Sequence, residues 1–263
     1  LKISPKKWNW MNCGSEREYS LNENLNAFLK YKIKSNILND VSKTNISKKF
    51  LSIKLKMPLI MSPLGYMTQY RRNGELEFVK AAINNNTFFT LSAVSSIKID
   101  EIQKKIGCSN LIYQFYSLKP RNWVLSEIKK VNNFNVKAIC VTGDSPVRSI
   151  KYSTIEDRYD ARKHGRIGKP VAPLHKMSSM NWEDIKWLRD KTKKKIIVKG
   201  ITNNEDYLKC IRYGIDYAWI SNHGGRVLDS GISSLSSLDN IKKSKNLPII
   251  FDGGVRTGTD IFK

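Results

Sequence analysis

Two segments of this chain carry residues equipped for chemistry: Ser221-Asn222-His223-Gly224-Gly225-Arg226 and, further on, Asp252-Gly253-Gly254-Val255-Arg256. Each follows a short apolar run that reads as a buried strand, Tyr217–Ile220 before the first and Leu247–Phe251 before the second. A histidine three residues ahead of an arginine, on a turn loosened by two glycines, sets a base beside a cation whose planar fork suits a carboxylate. The Asp-Gly-Gly-X-Arg turn offers backbone N–H groups and a guanidinium, the equipment of a phosphate cradle. Base, anion clamp and phosphate cradle together describe an active site.

The elements that must position these residues are legible from about Pro58 onward. Apolar runs at Pro58–Ser62, Thr87–Ser92, Leu111–Tyr116, Val136–Asp144, Lys195–Gly200, Tyr217–Ser221 and Pro248–Asp252 alternate with segments of helical period. Val124, Ile128 and Val131 share one helical face, as do Leu208 and Ile211, and Leu235, Leu238 and Ile241. Asn204, Glu205 and Asp206 read as a helix start and Gly214 as a stop. Repeated β-then-α units mean a parallel sheet, and their number favours an α/β fold of the (β/α)8 barrel type. The strand ends agree, because all seven finish in polar residues: Ser62, Ser92, Gln114 with Tyr116, Thr142 with Asp144, Lys199, Ser221 with His223, and Asp252. In such barrels chemistry sits at the C-terminal ends of the strands.

Residues 1–57 are expected to pack on the barrel formed by 58–263, with a helix at Leu21–Tyr31 capped by Ser20. Residues 145–180 form a long excursion rich in Arg, Lys, Gly and Pro (Arg158, Arg162, Arg166, Pro170, Pro173), placed to fold over the site. His164 and His175 within it read as solvated, and Trp182 and Trp187 as packing residues of a helix start. No eighth strand precedes Lys263 and the first residue is Leu, so the sequence reads as a fragment: a barrel truncated before its last strand, with exposed edges, prone to aggregate and weak in cofactor binding.

Length suits one large domain with a sizeable core. The net charge of +23 raises nucleic acid as a partner, but the lysines are spread through an Asn- and Ile-rich chain and read as solvated helix faces; no nucleic acid partner is expected. Lys191–Lys195 and Lys242–Lys245 lie where helix ends should be, where cations favour the helix dipole. No apolar run is long enough for a membrane helix and no signal segment opens the sequence. Cys13, Cys108, Cys140 and Cys210 lack metal-ligand spacing, Cys140 and Cys210 read as buried thiols, and a cytoplasmic location is expected.

From about Trp10 to Lys263 the sequence resembles the FMN-dependent α-hydroxy acid oxidase/dehydrogenase family, which includes glycolate oxidase, lactate oxidase and the flavin domain of flavocytochrome b2. The resemblance rests on Pro58-Leu-Ile-Met-Ser-Pro-Leu-Gly65, Thr90-Leu-Ser92, Gln114-Phe-Tyr116, Thr142-Gly-Asp-Ser-Pro146, Val198-Lys-Gly200, Ser221-Asn-His-Gly-Gly-Arg226 and Asp252-Gly-Gly-Val-Arg-Thr-Gly-Thr-Asp260, in that order. It implies FMN as cofactor and oxidation of an L-2-hydroxy acid to the 2-oxo acid, with electrons passing to flavin N5 and on to O2 or a carrier. By resemblance, His223 is the base, Asp144 stabilises its imidazolium, Tyr116 lies beside the substrate and Arg226 grips the carboxylate. Lys199 is implied at the flavin N1/O2 edge. Pro63, Leu64, Gly65, Ser92, Gln114, Thr142 and Ser221 match flavin-contacting positions, and Asp252, Gly253, Gly254, Val255 and Arg256 the ribityl and phosphate region. A homo-oligomer, a tetramer in the family, is implied as well.

Three positions depart from the family pattern. Trp10 stands where the family has a tyrosine holding the substrate carboxylate, Val94 where a tryptophan lines the pocket, and Lys151, with Arg148 nearby, where the fourth loop has an arginine. The family's Gly-Arg phosphate contact on the eighth strand has no counterpart before Lys263. These departures leave two alternatives: another FMN-barrel reaction such as isopentenyl diphosphate isomerisation, against which the His223–Arg226 pair argues, or a degenerate anion-binding barrel without catalysis.

Overall fold

Runs of β-branched and aromatic residues separated by helical segments settle into one parallel sheet wrapped by helices. The structure is a computed structural model and describes residues 3–107, 110–164, 174–242 and 246–263. The chain opens with helices α1 (Pro5–Asn12) and α2 (Tyr19–Ala27) and an antiparallel hairpin of β1 (Lys48–Phe50) and β2 (Ile53–Leu55). The alternating part begins with β3 (Met61–Leu64), α3 (Gly74–Asn84), β4 (Phe89–Leu91), α4 (Ile99–Ile106), β5 (Leu111–Phe115) and α5 (Arg121–Asn133). It continues with β6 (Val136–Thr142), the short α6 (Ala161–His164), α7 (Trp182–Lys191), β7 (Lys195–Ile201) and α8 (Asn204–Arg212). Last come β8 (Tyr217–Ile220), α9 (Ser234–Asn240), β9 (Ile249–Phe251) and α10 (Gly258–Phe262).

Strands β3 to β9 pair in sequence order, every pair parallel, so the sheet is a (β/α) barrel of seven strands with β3 and β9 as its edges. Side chains alternate between two cores, as strand geometry demands. Leu111, Tyr113, Phe115, Ile139 and Val141 point outward against Val124, Ile128 and Val131 of α5 and their neighbours. Ile112, Ala138, Cys140, Ile197 and Trp219 point inward. The hairpin closes the bottom of this inner core: Leu51 and Leu55 are buried in it, and the Phe50 ring meets Phe88 at 5.2 Å and Tyr217 at 5.0 Å between centroids.

All seven expected strands are present, with one shifted. The first runs Met61–Leu64 rather than Pro58–Ser62, because Pro58 has no N–H to donate and the first ladder bond is Met61 N–H to Phe88 O, 2.8 Å. Ser20 is not the cap of the N-terminal helix. The helix starts at Tyr19, and Ser20 N–H donates to Asp229 Oδ1 while its hydroxyl donates to Gly231 O. On α8 the buried face is Tyr207 and Cys210; Leu208 and Ile211 are 44% and 39% exposed, a small rotation about the helix axis from the expected face. The N-terminal region holds more order than the single expected helix, with α1 and the hairpin added. Trp182 and Trp187 do pack, against Tyr213 at 5.3 Å between centroids and under the Arg121 guanidinium at 3.9 Å. Cys108, Arg166, Pro170, Pro173 and 243–245 lie outside the described residues, as do the side chains of His164 and His175.

Candidate active site

The polar strand ends gather in bonded groups at the C-terminal mouth of the sheet. Ser62 within β3 donates to Oδ2 of Asp252, just past β9, at 2.9 Å. Lys199 of β7 reaches the same oxygen at 2.8 Å and donates to Ser221 Oγ at the end of β8. Gln114 of β5 donates to Thr142 Oγ1 of β6, 2.6 Å, and accepts from Ala93 N–H beyond β4, 3.2 Å. Ser92 accepts from Val94 N–H, 3.2 Å. Burial alone would raise the Asp252 carboxyl, but the Lys199 ammonium and hydrogen bonds from Lys199, Ser221 and Ser62 hold it below the usual carboxylate range. Burial would equally lower Lys199, and the Asp252 and Asp144 charges more than offset it, so its ammonium is raised. The pair is therefore ionised: a fixed positive charge buried in the wall of the mouth.

His223 stands just past β8 on a tight turn. Its Nδ1 lies 2.9 Å from Asp144 Oδ1 and its Nε2 3.2 Å from the Tyr116 hydroxyl. A carboxylate only accepts, so Nδ1–H donates to Asp144 and the Nε2 lone pair faces Tyr116. Burial, then the nearby Asp144 and Tyr66, push the Tyr116 hydroxyl up, so it stays protonated and donates. The turn itself is held from the N-terminal region. Asn222 and Asn24 of α2 exchange amide hydrogen bonds at 2.8 and 2.9 Å. Gly225 has φ +72°, and a Cβ there would lie 2.4 Å from Leu21 N; Gly254 has φ +88°, and a Cβ there would lie 2.2 Å from Asn24 O. Both glycine turns thus rest directly on the backbone of α2.

Arg226 donates Nη1 to Met11 O at 3.1 Å and to Cys13 O, and Nη2 to Trp10 O at 3.1 Å, the open carbonyls at the end of α1. Two of its five N–H groups are left without an acceptor among the described residues. Lys151 is 7% exposed and donates to Gly14 O, 3.2 Å, and Arg226 O, 3.0 Å. Trp10 is buried under Lys151 and Arg162, whose cationic groups lie 5.8 and 5.1 Å from its ring centroid.

These residues surround a cavity of about 1160 Å³. Trp10, Pro63, Leu64, Gly65, Gln114, Tyr116, Lys151, Lys199, His223, Arg226 and Asp252 to Arg256 line it. Ser92, Thr142, Asp144 and Ser221 stand behind the wall and bond into it. The sequence pattern singles out neither Tyr66 nor Tyr70, yet both line the cavity and pack against the cluster of Trp10, Tyr159 and Ala161. Only their place after the β3 strand end would have marked them.

The lower wall suits FMN. Asp252 Oδ1 and the Trp219 indole N–H are buried at the cavity without partners among the described residues, a costly state that a polar ligand relieves. The N–H groups of Gly253, Gly254 and Val255 have no acceptor among the described residues, and Arg256 flanks them, the makings of an anion cradle.

The comparisons agree. Residues 2–263 match the family model described as FMN-dependent dehydrogenase. A peroxisomal (S)-2-hydroxyacid oxidase of Arabidopsis thaliana is 32% identical, covering 97% of this chain and 75% of the relative. A 2-hydroxyacid oxidase of Dictyostelium discoideum is 29% identical over 100% of this chain and 72% of its own length. Among solved structures, a lactate oxidase of Pediococcus acidilactici superposes with TM-score 0.90 at 28% identity, over 99% of this chain and 74% of that one. A soluble mutant of the membrane-associated (S)-mandelate dehydrogenase from Pseudomonas putida gives TM-score 0.88 at 27% identity, over 98% and 77%. Among the described residues no helix is long and apolar enough to cross a membrane. With its parallel barrel, its ionised mouth and its match over 2–263, the chain belongs to the FMN-dependent dehydrogenase family and is an FMN-dependent oxidoreductase.

Proposed function

We propose that this protein oxidises an L-2-hydroxy acid to the 2-oxo acid, with His223 accepting a proton as the substrate is oxidised. The observation that carries this reading is the chain Asp144–His223–Tyr116 beside the two unsatisfied N–H groups of Arg226, all at one mouth. Asp144 holds the imidazole in the tautomer that leaves Nε2 free to take a proton, and its charge stabilises the imidazolium that results. Arg226 receives the carboxylate on its remaining N–H pair, which fixes the α-carbon relative to Nε2. Bound FMN supplies the two-electron acceptor for the α-carbon. Asp252 to Arg256 hold its ribityl and phosphate, Pro63 to Gly65, Ser92, Gln114, Thr142 and Ser221 shape the ring site, and Lys199 provides the fixed cation beside it. O2 or an electron carrier then takes the electrons on. The relatives' names support the substrate class: two are 2-hydroxyacid oxidases and one structural neighbour is a lactate oxidase. The plant relative is named as peroxisomal, and a cytoplasmic location for this chain is a reading of the sequence that the relatives do not support.

The test is anaerobic mixing of the FMN-loaded protein with 2-hydroxy acids. The visible flavin band should bleach, and His223→Gln should keep the band but slow bleaching by roughly 10²- to 10⁴-fold, the contribution of a positioned base. A loaded protein that no 2-hydroxy acid bleaches, or a His223→Gln variant as fast as the parent, rejects the reading.

A further inference from the structure

Cations outnumber acids on the substrate side of the cavity. Arg148, Lys151, Arg162 and Arg226 all line it. Of these only Arg162 has an ion-pair partner among the described residues: Asp160, at 2.7 Å from Nη2 and also bound by Nε. The other acid near the reacting centre, Asp144, is held by His223. Lys151 and Arg226 donate to backbone carbonyls, which carry no charge to balance theirs. Arg148 has neither an ion pair nor a side-chain hydrogen bond among the described residues, yet it faces the same space.

Tyr66 lines the same cavity as Arg148 and His223. It takes the left-handed backbone conformation, φ +58°, tied by its N–H to Val94 O at 3.2 Å, and its side chain lines the cavity. Its hydroxyl has no hydrogen-bond partner among the described residues, although the ring is packed against the cluster of Trp10, Tyr159 and Ala161. Burial pushes that hydroxyl up, and the charges of Arg162 and Arg148 draw it part of the way back. Tyr66 is also close enough to Tyr116 to bear on its ionisation, and Tyr116 touches His223. His223, Tyr116, Tyr66 and Arg148 thus open onto one cavity.

A 2-hydroxy monocarboxylate brings one negative charge, which the Arg226 fork takes, and Arg148, whose charge reaches only an acid already ion-paired to Arg162, is then left without an ion pair of its own. Granted the 2-hydroxy acid reading above, we propose that the substrate carries a second anionic group, as a 2-hydroxy dicarboxylate does, received by Arg148 with the Tyr66 hydroxyl donating to the same group. Arginine suits this post because its fork binds a carboxylate with two donors.

The experiment is anaerobic flavin reduction in the FMN-loaded protein by L-lactate, L-malate and L-2-hydroxyglutarate, compared as second-order rate constants. One of the two dicarboxylates should exceed lactate by roughly tenfold or more, the worth of one charge-assisted hydrogen bond. Arg148→Gln should bring that ratio close to one, and Tyr66→Phe should lower it by a smaller factor. Calorimetry gives a second readout that needs no turnover: the matching 2-oxo dicarboxylate should bind roughly tenfold more tightly than pyruvate, and Arg148→Gln should erase the difference. Lactate equal to or better than both dicarboxylates overturns this inference and leaves the hydroxy-acid reading standing. A dicarboxylate preference that survives Arg148→Gln overturns the assignment to Arg148. Flavin reduced by none of the acids removes the hydroxy-acid reading, and this inference falls with it.

Discussion

Lys151 shows how much a single position can change the electrostatics of a site. A lysine there has a compact ammonium where a planar fork would reach further, and the surrounding chain turns it onto the carbonyls of Gly14 and Arg226. Burial, with repulsion from Arg226 and Arg162, lowers it from 10.5 to about 8. The unfolded chain keeps that proton up to its ordinary value, so between pH about 8 and 10.5 the unfolded state binds more protons than the folded one. Stability owed to this group therefore rises with pH through that window and is flat below it. Lys151→Met should remove the rise: the urea midpoint of the parent, measured relative to the variant, should climb across the window. A difference that stays constant there contradicts the burial of a titrating ammonium. At this scale the sequence was legible where motifs are dense, as in Ser221–Arg226 and Asp252–Arg256. It was silent on Tyr66 and Tyr70, because a tyrosine among polar loop residues has no periodicity that separates a lining residue from a solvated one.

Among the elements, α2 matters more to the site than its distance along the chain suggests. It carries Asn24, which holds Asn222, and its backbone is the floor on which the Gly225 and Gly254 turns rest. Gly224 and Gly225 provide an internal comparison. Both have positive φ, but a Cβ on Gly224 meets nothing within 4 Å, whereas one on Gly225 would lie 2.4 Å from Leu21 N. Gly224→Ala should cost only the backbone strain, about 1–2 kcal/mol. Gly225→Ala should cost more than Gly224→Ala, because it must also displace α2, and should weaken FMN retention through the displaced turn. Urea midpoints of the two variants check this, and equal losses would show that α2 does not bear on the turn. The barrel strands were legible because each is a self-contained apolar run ending in a polar residue. The packing of the N-terminal helices was not, since it depends on contacts such as Asn24 to Asn222 and Arg226 to the α1 carbonyls, which join residues far apart in sequence. The same limit explains Ser20, whose hydroxyl answers to Gly231 rather than to its own helix.

At the scale of the molecule, the sheet has two edges, β3 and β9, and the cavity runs down between them past Leu59, Ile60, Pro248 and Ile249 to the hairpin. The number of strands was readable from the alternation of apolar runs, whereas the way the edges face one another was not, because no single segment encodes it. At the mouth the edges are fastened by Ser62 and Asp252, and Asp252 is fastened in turn to Lys199 and so to Ser221. Below that point no backbone ladder joins β3 to β9 among the described residues. Among the described residues the two edge strands are thus clipped together by side chains clamped at the end that does the chemistry. Ser62→Ala would release the clamp. Hydrogen exchange at the Asp252 amide, bonded to Ile220 O at 3.1 Å, should then quicken by roughly tenfold or more, the cost of losing a hydrogen bond to a charged group. Amides in the centre of β6 should keep their rates, and an Asp252 amide that does the same would mean that the clip is held shut by something other than its clasp.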